Sequence, residues 1–234
     1  MLVGFHVEGY DHLILKALVA KLLDLPEATI ELDRVEASGM GWHQVLETLP
    51  KALLRFYGKC CAMVVVGVDN DGNQELAATG QSEDPARPRH WLHAGRQVAA
   101  CRFCQIEQVV QATRPHLHWL PNKPGTTWPI IVSVPVEMIE SWLLVARAVT
   151  GSPGGSARAE DERRAGQKLQ MYGRPEATEN DVGSVALPLI RLLSPTHITQ
   201  LRTSSRSFAT FADQVEQARK ASLRADCWSV TTAT

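Results

Sequence analysis

The segment CAMVVVGVD, residues 61–69, decides the fold. It is a continuous apolar run rich in β-branched residues, which is typical of a central parallel strand buried on both faces. Two other runs share this character, LVGFHV at residues 2–7 and PIIVSV at residues 129–134. Segments with helical spacing of apolar side chains separate the three runs. This alternation predicts an α/β fold with a mostly parallel sheet.

Helical patterns and one weaker strand complete the organisation of the chain. The strand is expected at residues 30–35, and the helices at residues 11–24, 42–58 (interrupted by Pro50), 91–112, 136–149, 182–193, 195–202 and 207–224. Residues 151–166 are rich in Gly, Ser and charge, which is typical of a linker. We therefore expect an α/β core over residues 1–150, and a linker plus a helical C-terminal region packing on that core over residues 151–234.

Composition and charge exclude several classes of protein. The 234 residues are 44% hydrophobic and 21% charged, with a formal net charge of -1. This composition lacks the bias of collagenous, disordered or disulfide-scaffold proteins, and its neutrality argues against a polybasic nucleic-acid binder. The charge is uneven, because residues 1–75 carry 11 acidic and 6 basic groups. The acidic first third raises the question of whether these carboxylates also meet in space.

The sequence predicts a cytoplasmic protein with no membrane association. It contains no apolar run of about 18 residues, the length that a spanning helix needs. Its first residues, MLVGFHVEGYD, lack the basic start of a signal peptide. The cysteines number five, an odd count that favours reduced thiols over a disulfide framework.

Carboxylates follow each of the three strong strands. Glu8 ends the first, Asp69 and Asp71 end the second, and Glu137 and Glu140 come soon after the third. Ligands of open parallel sheets bind at the carboxyl ends of the strands. Acidic side chains gathered there repel one another unless a cation compensates them, and oxygen ligands favour Mg²⁺ or Mn²⁺. The alternative is that such acids cap the helices that follow, as Asp11 is placed to do.

The ordered combination of Val7-Glu8-Gly9 and Asp69-x-Asp71 on strand ends resembles the topoisomerase–primase (TOPRIM) domain. The later stretches MIESWLLVAR (residues 138–147) and SSRSFATF (residues 204–211) are similar to segments of uncharacterised bacterial TOPRIM-like proteins. Those proteins are related to the nuclease domain of the overcoming-lysogenization-defect family, many of whose relatives are associated with defence against phage. The resemblance covers most of the chain through short motifs and implies a Rossmann-like TOPRIM core.

The resemblance also implies roles for individual residues. Asp69 and Asp71 would hold Mg²⁺ together with Glu8, which would also be the general acid/base. Glu140 would be a further metal ligand, and Lys168 would contact the scissile phosphate. The expected function is a Mg²⁺-dependent (or Mn²⁺-dependent) nuclease that hydrolyses phosphodiester bonds in DNA or RNA.

Substrate attraction would come from basic side chains. The candidates are Arg87, Arg89, Arg96, Arg102, Arg158, Arg163, Arg164 and Lys168. We single out Arg163 and Arg164 as substrate-binding residues, since they stand close together before Lys168. The alternative is that this cluster is a solvated helix face.

Two other functions stay open. The chain departs from the TOPRIM-like pattern at Asp11, which is three rather than four residues after Glu8, and at Arg147, where an acid is common. Both departures favour a non-catalytic module acting with a partner ATPase, which would be a separate chain because this sequence has no Walker A motif. The other alternative is a different metal-dependent phosphotransfer enzyme on the same kind of sheet.

A second group of residues suggests zinc. Cys101 and Cys104 have the spacing of zinc ligands, and His116 and His118 follow them. The spacing of the two histidines is shorter than usual for such a site. The alternative is that the two thiols, three residues apart on one face of a helix, pack as small apolar groups.

Overall fold

The core of the protein is a four-stranded, parallel sheet in the order β2-β1-β3-β4. The computed structural model describes residues 1–34, 41–70, 88–93, 96–117, 129–135, 139–160 and 166–224. The strands are β1 (Leu2–Val7), β2 (Glu31–Arg34), β3 (Met63–Gly67) and β4 (Ile130–Ser133). All three strand pairings are parallel, so the predicted α/β fold class is confirmed.

Helices connect the strands and, with short turns between them, form most of the described part of the C-terminal region. They are α1 (Asp11–Leu23), α2 (Trp42–Gly58), α3 (Arg102–Leu117), α4 (Glu140–Val149), α5 (Gln167–Tyr172), α6 (Glu179–Asp181), α7 (Leu187–Leu192), α8 (Pro195–Ser204) and α9 (Arg206–Arg224). Short 3-10 turns lie at Glu27–Thr29 and His90–Leu92, and a π-helical turn, Val182–Ala186, joins α6 to α7. In the described part of the chain, no helix combines the length and hydropathy that membrane crossing requires.

Two helix predictions differ from the structure. The helix expected at residues 91–112 begins only at Arg102, because the preceding backbone closes short turns, such as the hydrogen bond from the Cys101 N–H to the Val98 carbonyl. The helix at Trp42–Gly58 runs through Pro50 without interruption. A proline inside a helix removes one N–H donor and crowds the carbonyl four residues earlier, and the packing of the buried face of α2 offsets this cost.

The sheet is covered by helices on both faces. Val3 and Phe5 of β1 face the layer that contains α1, α4 and the C-terminal helices. His6, on the opposite face of β1, turns toward α2, and its Nε2 lies 2.9 Å from the Val45 carbonyl oxygen. The side chains of β3 divide between the same two layers. This two-sided burial explains why the strand sequences are continuous apolar runs.

Gly4 lets α2 lie directly on the sheet. A Cβ atom at this position would lie within 2.9 Å of three ring carbons of Phe56, which is closer than real side chains approach one another. The absence of a side chain therefore sets the distance between β1 and α2 at the middle of the sheet.

The C-terminal region closes the edge of the sheet next to β4. The Gln214 side chain of α9 accepts a hydrogen bond from the Val132 N–H (2.9 Å) and donates one to the Val132 carbonyl (3.0 Å). An amide side chain thus takes the place of a further strand on an exposed edge, which removes a site for unwanted strand pairing.

A buried carboxylate fixes the start of α9. Glu160, which is 2% exposed, accepts hydrogen bonds from the backbone N–H groups of Arg206 and Ser207 and from the Ser207 hydroxyl. That hydroxyl also accepts a hydrogen bond from the Trp142 indole (2.7 Å). Residues 151–160, expected to be a linker, therefore contribute a helix cap to the core.

We predict that Gly4→Ala destabilises the protein by about 1–3 kcal/mol, because the new methyl group overlaps the Phe56 ring. Urea unfolding followed by circular dichroism measures the change. Gly183→Ala is the matched control, since a Cβ there meets open space. Because Gly183 lies in the π-helical turn, where alanine is favoured over glycine, this substitution should not lower the midpoint. An unchanged midpoint for Gly4→Ala would show that β1 and α2 separate easily.

We predict that Glu160→Ala costs about 1–3 kcal/mol, because it leaves the first N–H groups of α9 buried without their acceptor. The same urea titration measures the loss. Glu176→Ala, which removes an exposed carboxylate, is the control and should cost much less. Equal effects of the two substitutions would contradict the capping role of Glu160.

Candidate functional site

The topology of the sheet creates a crevice between β1 and β3. From β1 the chain moves through α1 to β2 on one side, and then crosses to β3 on the other side. In open α/β sheets, the carboxyl ends of two strands whose connections diverge in this way form the usual ligand site. Glu8 and Asp69 follow these two strands directly.

A hydrogen bond joins the two strand ends. The Asp69 N–H donates to Oε2 of Glu8 at 2.8 Å. Gly9, with a φ of 51°, turns the chain sharply from β1 toward α1, a conformation that glycine adopts readily. Asp69 is itself oriented by the Ile139 N–H, which donates to its Oδ1 at 3.1 Å. Both carboxylates are thus held by backbone groups at the crevice.

A cavity of about 400 Å³ opens at this point, and we call it the carboxylate cavity. It is lined by Glu8, Gly9, Tyr10, Asp11, Ile14, Asp69, Glu140, Lys168, Ala177 and Val182. Four of the predicted site residues, which come from four separate segments of the chain, therefore border one space. Val182 begins the π-helical turn, a distortion that is frequent at functional sites.

Glu140 is the most deeply buried carboxylate of this cavity. It is 3% exposed, and its Oε2 has no hydrogen-bond partner among the described residues. Burial raises the pKa of Glu140, whereas the nearby Lys168 ammonium and the Tyr172 hydroxyl oppose that rise. Burial also raises the pKa of Tyr172, with Glu140 and Asp11 adding to the effect. Among the described residues, the Lys168 ammonium therefore only partly offsets the cost of burying the Glu140 carboxylate.

Arg147 holds the short helix that carries Lys168. Its guanidinium donates to the carbonyls of Gln170 (3.3 Å) and Met171 (2.9 Å) in α5. Cations are favoured near the carbonyls at the end of a helix. The residue that departs from the TOPRIM-like pattern thus ties α4 to α5, and it keeps Lys168 next to Glu140.

The other predicted site residues either lie outside the described part of the chain or are described but do not line the cavity. Asp71, Glu137, Arg163 and Arg164 lie outside the described residues. Arg89 and Arg102, expected to attract a polyanionic substrate, are only 6% and 4% exposed. The Arg102 guanidinium donates to the Asp69 carbonyl and lies 4.9 Å from the centre of the Trp42 ring. Arg102 therefore supports the end of β3 rather than meeting a ligand in solution.

A second cluster lies on the segment before α3 and in the first turn of that helix, and we call it the His/Cys cluster. It consists of His90, His93, Cys101 and Cys104. One ligand atom from each residue lies within 4.8 Å of the others. Among the described residues, no other group of three or more His, Cys, Asp and Glu side chains is close enough to share a metal ion. Burial raises the pKa of Cys101 to about 11 and lowers the pKa of His90.

The histidines of the cluster differ from those suggested by the sequence. His116 is exposed near the end of α3, twelve residues after Cys104, and twelve residues of helix span about 18 Å. It therefore lies far from both thiols, and His118 lies outside the described residues. Cys101 directly precedes the first residue of α3, and its carbonyl accepts a hydrogen bond from the Gln105 N–H at the start of that helix.

The pattern that signals this cluster is present in the sequence. One His-x-x-His pair and one Cys-x-x-Cys pair stand within residues 90–104. The helix expected at residues 91–112 is incompatible with a shared site, because a helix would place residues 93 and 101 about 12 Å apart along its axis. A loop at this place allows the two pairs to meet.

Comparison of the chain with protein-family models, with curated proteins and with solved structures finds no match.

Proposed function

We propose that the protein is a metal-dependent hydrolase of phosphodiester bonds in DNA or RNA, with its active site in the carboxylate cavity. The observation that carries this proposal is the shared cavity of Glu8, Asp69, Glu140 and Lys168. Strand ends, a helix start and a separate short helix converge there. Packing alone does not require acids and a lysine from such distant parts of the chain to border one open space.

The donor atoms of the cavity are of the chemical type that Mg²⁺ and Mn²⁺ prefer, although the three described carboxylates must move closer together to share one ion. Glu8, Asp69 and Glu140 offer carboxylate oxygens, which are the ligands that these hard cations prefer. The buried Glu140 oxygen without a hydrogen-bond partner among the described residues is the atom most in need of a cation. Asp71, as a fourth ligand, stays a prediction from the sequence.

The side chains have separable roles in this proposal. Glu8, held by the Asp69 N–H, is positioned to take or give a proton as general acid/base. Lys168 supplies positive charge where the phosphate gains negative charge. Arg163 and Arg164 stay candidate contacts to the nucleic-acid backbone. Glu8, Asp69 and Glu140 would hold the metal, which when bound would supply positive charge to the oxygens of the phosphodiester.

The resemblance to TOPRIM-like nucleases supports the same function. The two departures from the TOPRIM-like pattern argue less strongly against catalysis because of where Asp11 and Arg147 lie. Asp11 lines the cavity despite its shifted spacing, and Arg147 contacts helix carbonyls that position Lys168. A non-catalytic module that works with a partner ATPase is the alternative, and a role in defence against phage belongs to the proposal only through the resemblance.

Cleavage assays on DNA and RNA with Mg²⁺ or Mn²⁺ test the proposal. We expect Glu8→Gln and Lys168→Ala each to reduce the cleavage rate by about 10²-fold or more. Asp69→Asn and Glu140→Gln should weaken Mn²⁺ binding, measured by electron paramagnetic resonance. Glu216→Gln is the matched control, because Glu216 is a partly exposed carboxylate paired with Arg202 on the C-terminal helices.

The outcomes separate the two functions. Cleavage that survives both Glu8→Gln and Asp69→Asn would refute the site. Mn²⁺ binding that depends on Glu140, without cleavage of any substrate, would favour the non-catalytic module. Absence of both cleavage and Mn²⁺ binding in the wild-type protein would refute the proposal entirely.

A further inference from the structure

The His/Cys cluster has the spacing of a tetrahedral metal site. His90 Nδ1 lies 3.8 Å from Cys104 Sγ and 4.0 Å from Cys101 Sγ, and His93 Nε2 lies 4.0 Å from Cys104 Sγ. With the usual zinc–sulfur and zinc–nitrogen bond lengths, neighbouring S and N ligands are ~3.5 Å apart. These three pairs are within about half an ångström of that separation, and the widest pair of ligand atoms, up to 4.8 Å apart, must close by about 1 Å to surround one ion.

The two imidazoles are oriented by contacts outside the cluster. Nδ1 of His93 is 2.8 Å from the Arg96 carbonyl oxygen, so this nitrogen carries the proton and the unprotonated Nε2 faces Cys104. Zinc-binding histidines commonly hold their ring in this way. The His90 ring stacks on Phe103, with 3.9 Å between ring centroids. Packing of thiols as small apolar groups does not explain two imidazole nitrogens aimed at them.

We propose that His90, His93, Cys101 and Cys104 bind one structural Zn²⁺ ion. Two thiolates and two imidazoles are the ligand set that selects zinc over magnesium. Four protein ligands complete a tetrahedral shell, so the ion has no open position for substrate. Cys101 and Cys104 are 1% and 2% exposed and His93 is 6% exposed, which matches a closed site rather than a catalytic one.

The zinc ion fixes an irregular segment against the end of β3. Among the described residues between 88 and 101, the regular structure is the single 3-10 turn at His90–Leu92. Arg102 directly follows the ligand Cys101, and its guanidinium donates to the carbonyl of Asp69. The metal thereby holds Arg102 in place, and Arg102 supports a strand end that borders the carboxylate cavity. This role is independent of the reaction in that cavity.

Metal analysis of the full-length protein tests the proposal. The wild-type protein, purified and reconstituted with Zn²⁺ under reducing conditions, should contain about one zinc ion per chain by mass spectrometry. Cys104→Ser and His93→Asn should lose nearly all of it. Co²⁺ substitution of the wild type should give the visible bands of a tetrahedral site and a sulfur-to-cobalt charge-transfer band, which reports thiolate ligands directly.

Matched controls locate the ion. Cys60→Ser changes an exposed thiol, and His116→Asn changes the histidine suggested by spacing alone, so both should keep the full zinc content. Glu140→Gln should also keep it, which separates this site from the carboxylate cavity. Zinc loss in His116→Asn, zinc retention in Cys104→Ser, or a metal-free wild type would overturn the proposal.

Hydrogen exchange tests the structural role without relying on a folded variant. Removal of zinc from the wild-type protein with a chelator should speed amide exchange in residues 88–104 and around Asp69, whereas α8 should be unaffected. Unchanged exchange in residues 88–104 would refute a structural role. The appearance of a Cys101–Cys104 disulfide in place of bound metal under reducing conditions would refute the zinc site itself.

Discussion

The parallel pairing of β1 with β3 is the constraint on which the rest of the structure depends. Both strands are buried on both faces, so each needs a layer of helices above and below it. Parallel direction places their carboxyl ends at one edge, and the diverging connections leave that edge open. The hydrogen bond from the Asp69 N–H to Glu8 extends this pairing beyond the strands and into the cavity.

Much of the sheet and part of the lining of the carboxylate cavity could be predicted from the sequence. Continuous apolar runs identify β1, β3 and β4, and strand ends identify Glu8 and Asp69, because the period and direction of a strand are properties of the local chain. Glu140 was expected at the same edge because it follows β4 closely, whereas the role of Lys168 came from the family resemblance alone. His90 and His93 were not predicted as ligands. Apolar side chains with helical spacing suggested a helix from residue 91, whereas the conformation of an irregular segment depends on what its side chains contact.

The end of β3 lies between the two proposed metal sites, the carboxylate cavity and the His/Cys cluster. On one side are the oxygen atoms of the carboxylate cavity, suited to hard cations, and on the other are the sulfur and nitrogen atoms of the His/Cys cluster, suited to zinc. Asp69 belongs to the first through its side chain and contacts Arg102 through its carbonyl. If both proposed sites bind metal, their different donor atoms would favour different ions, a hard cation at the carboxylates and zinc at the His/Cys cluster.

The short sequence separation within the His/Cys cluster has a consequence for the order of folding. All four side chains belong to residues 90–104, so little chain entropy opposes their assembly. By contrast, the contact of Gln214 with Val132 joins residues 82 positions apart and closes the sheet edge only after α9 exists. On a ribosome, residues 88–104 can thus become ordered while β4 and its cover are still unmade, and they offer β3 an early partner before its second face is protected.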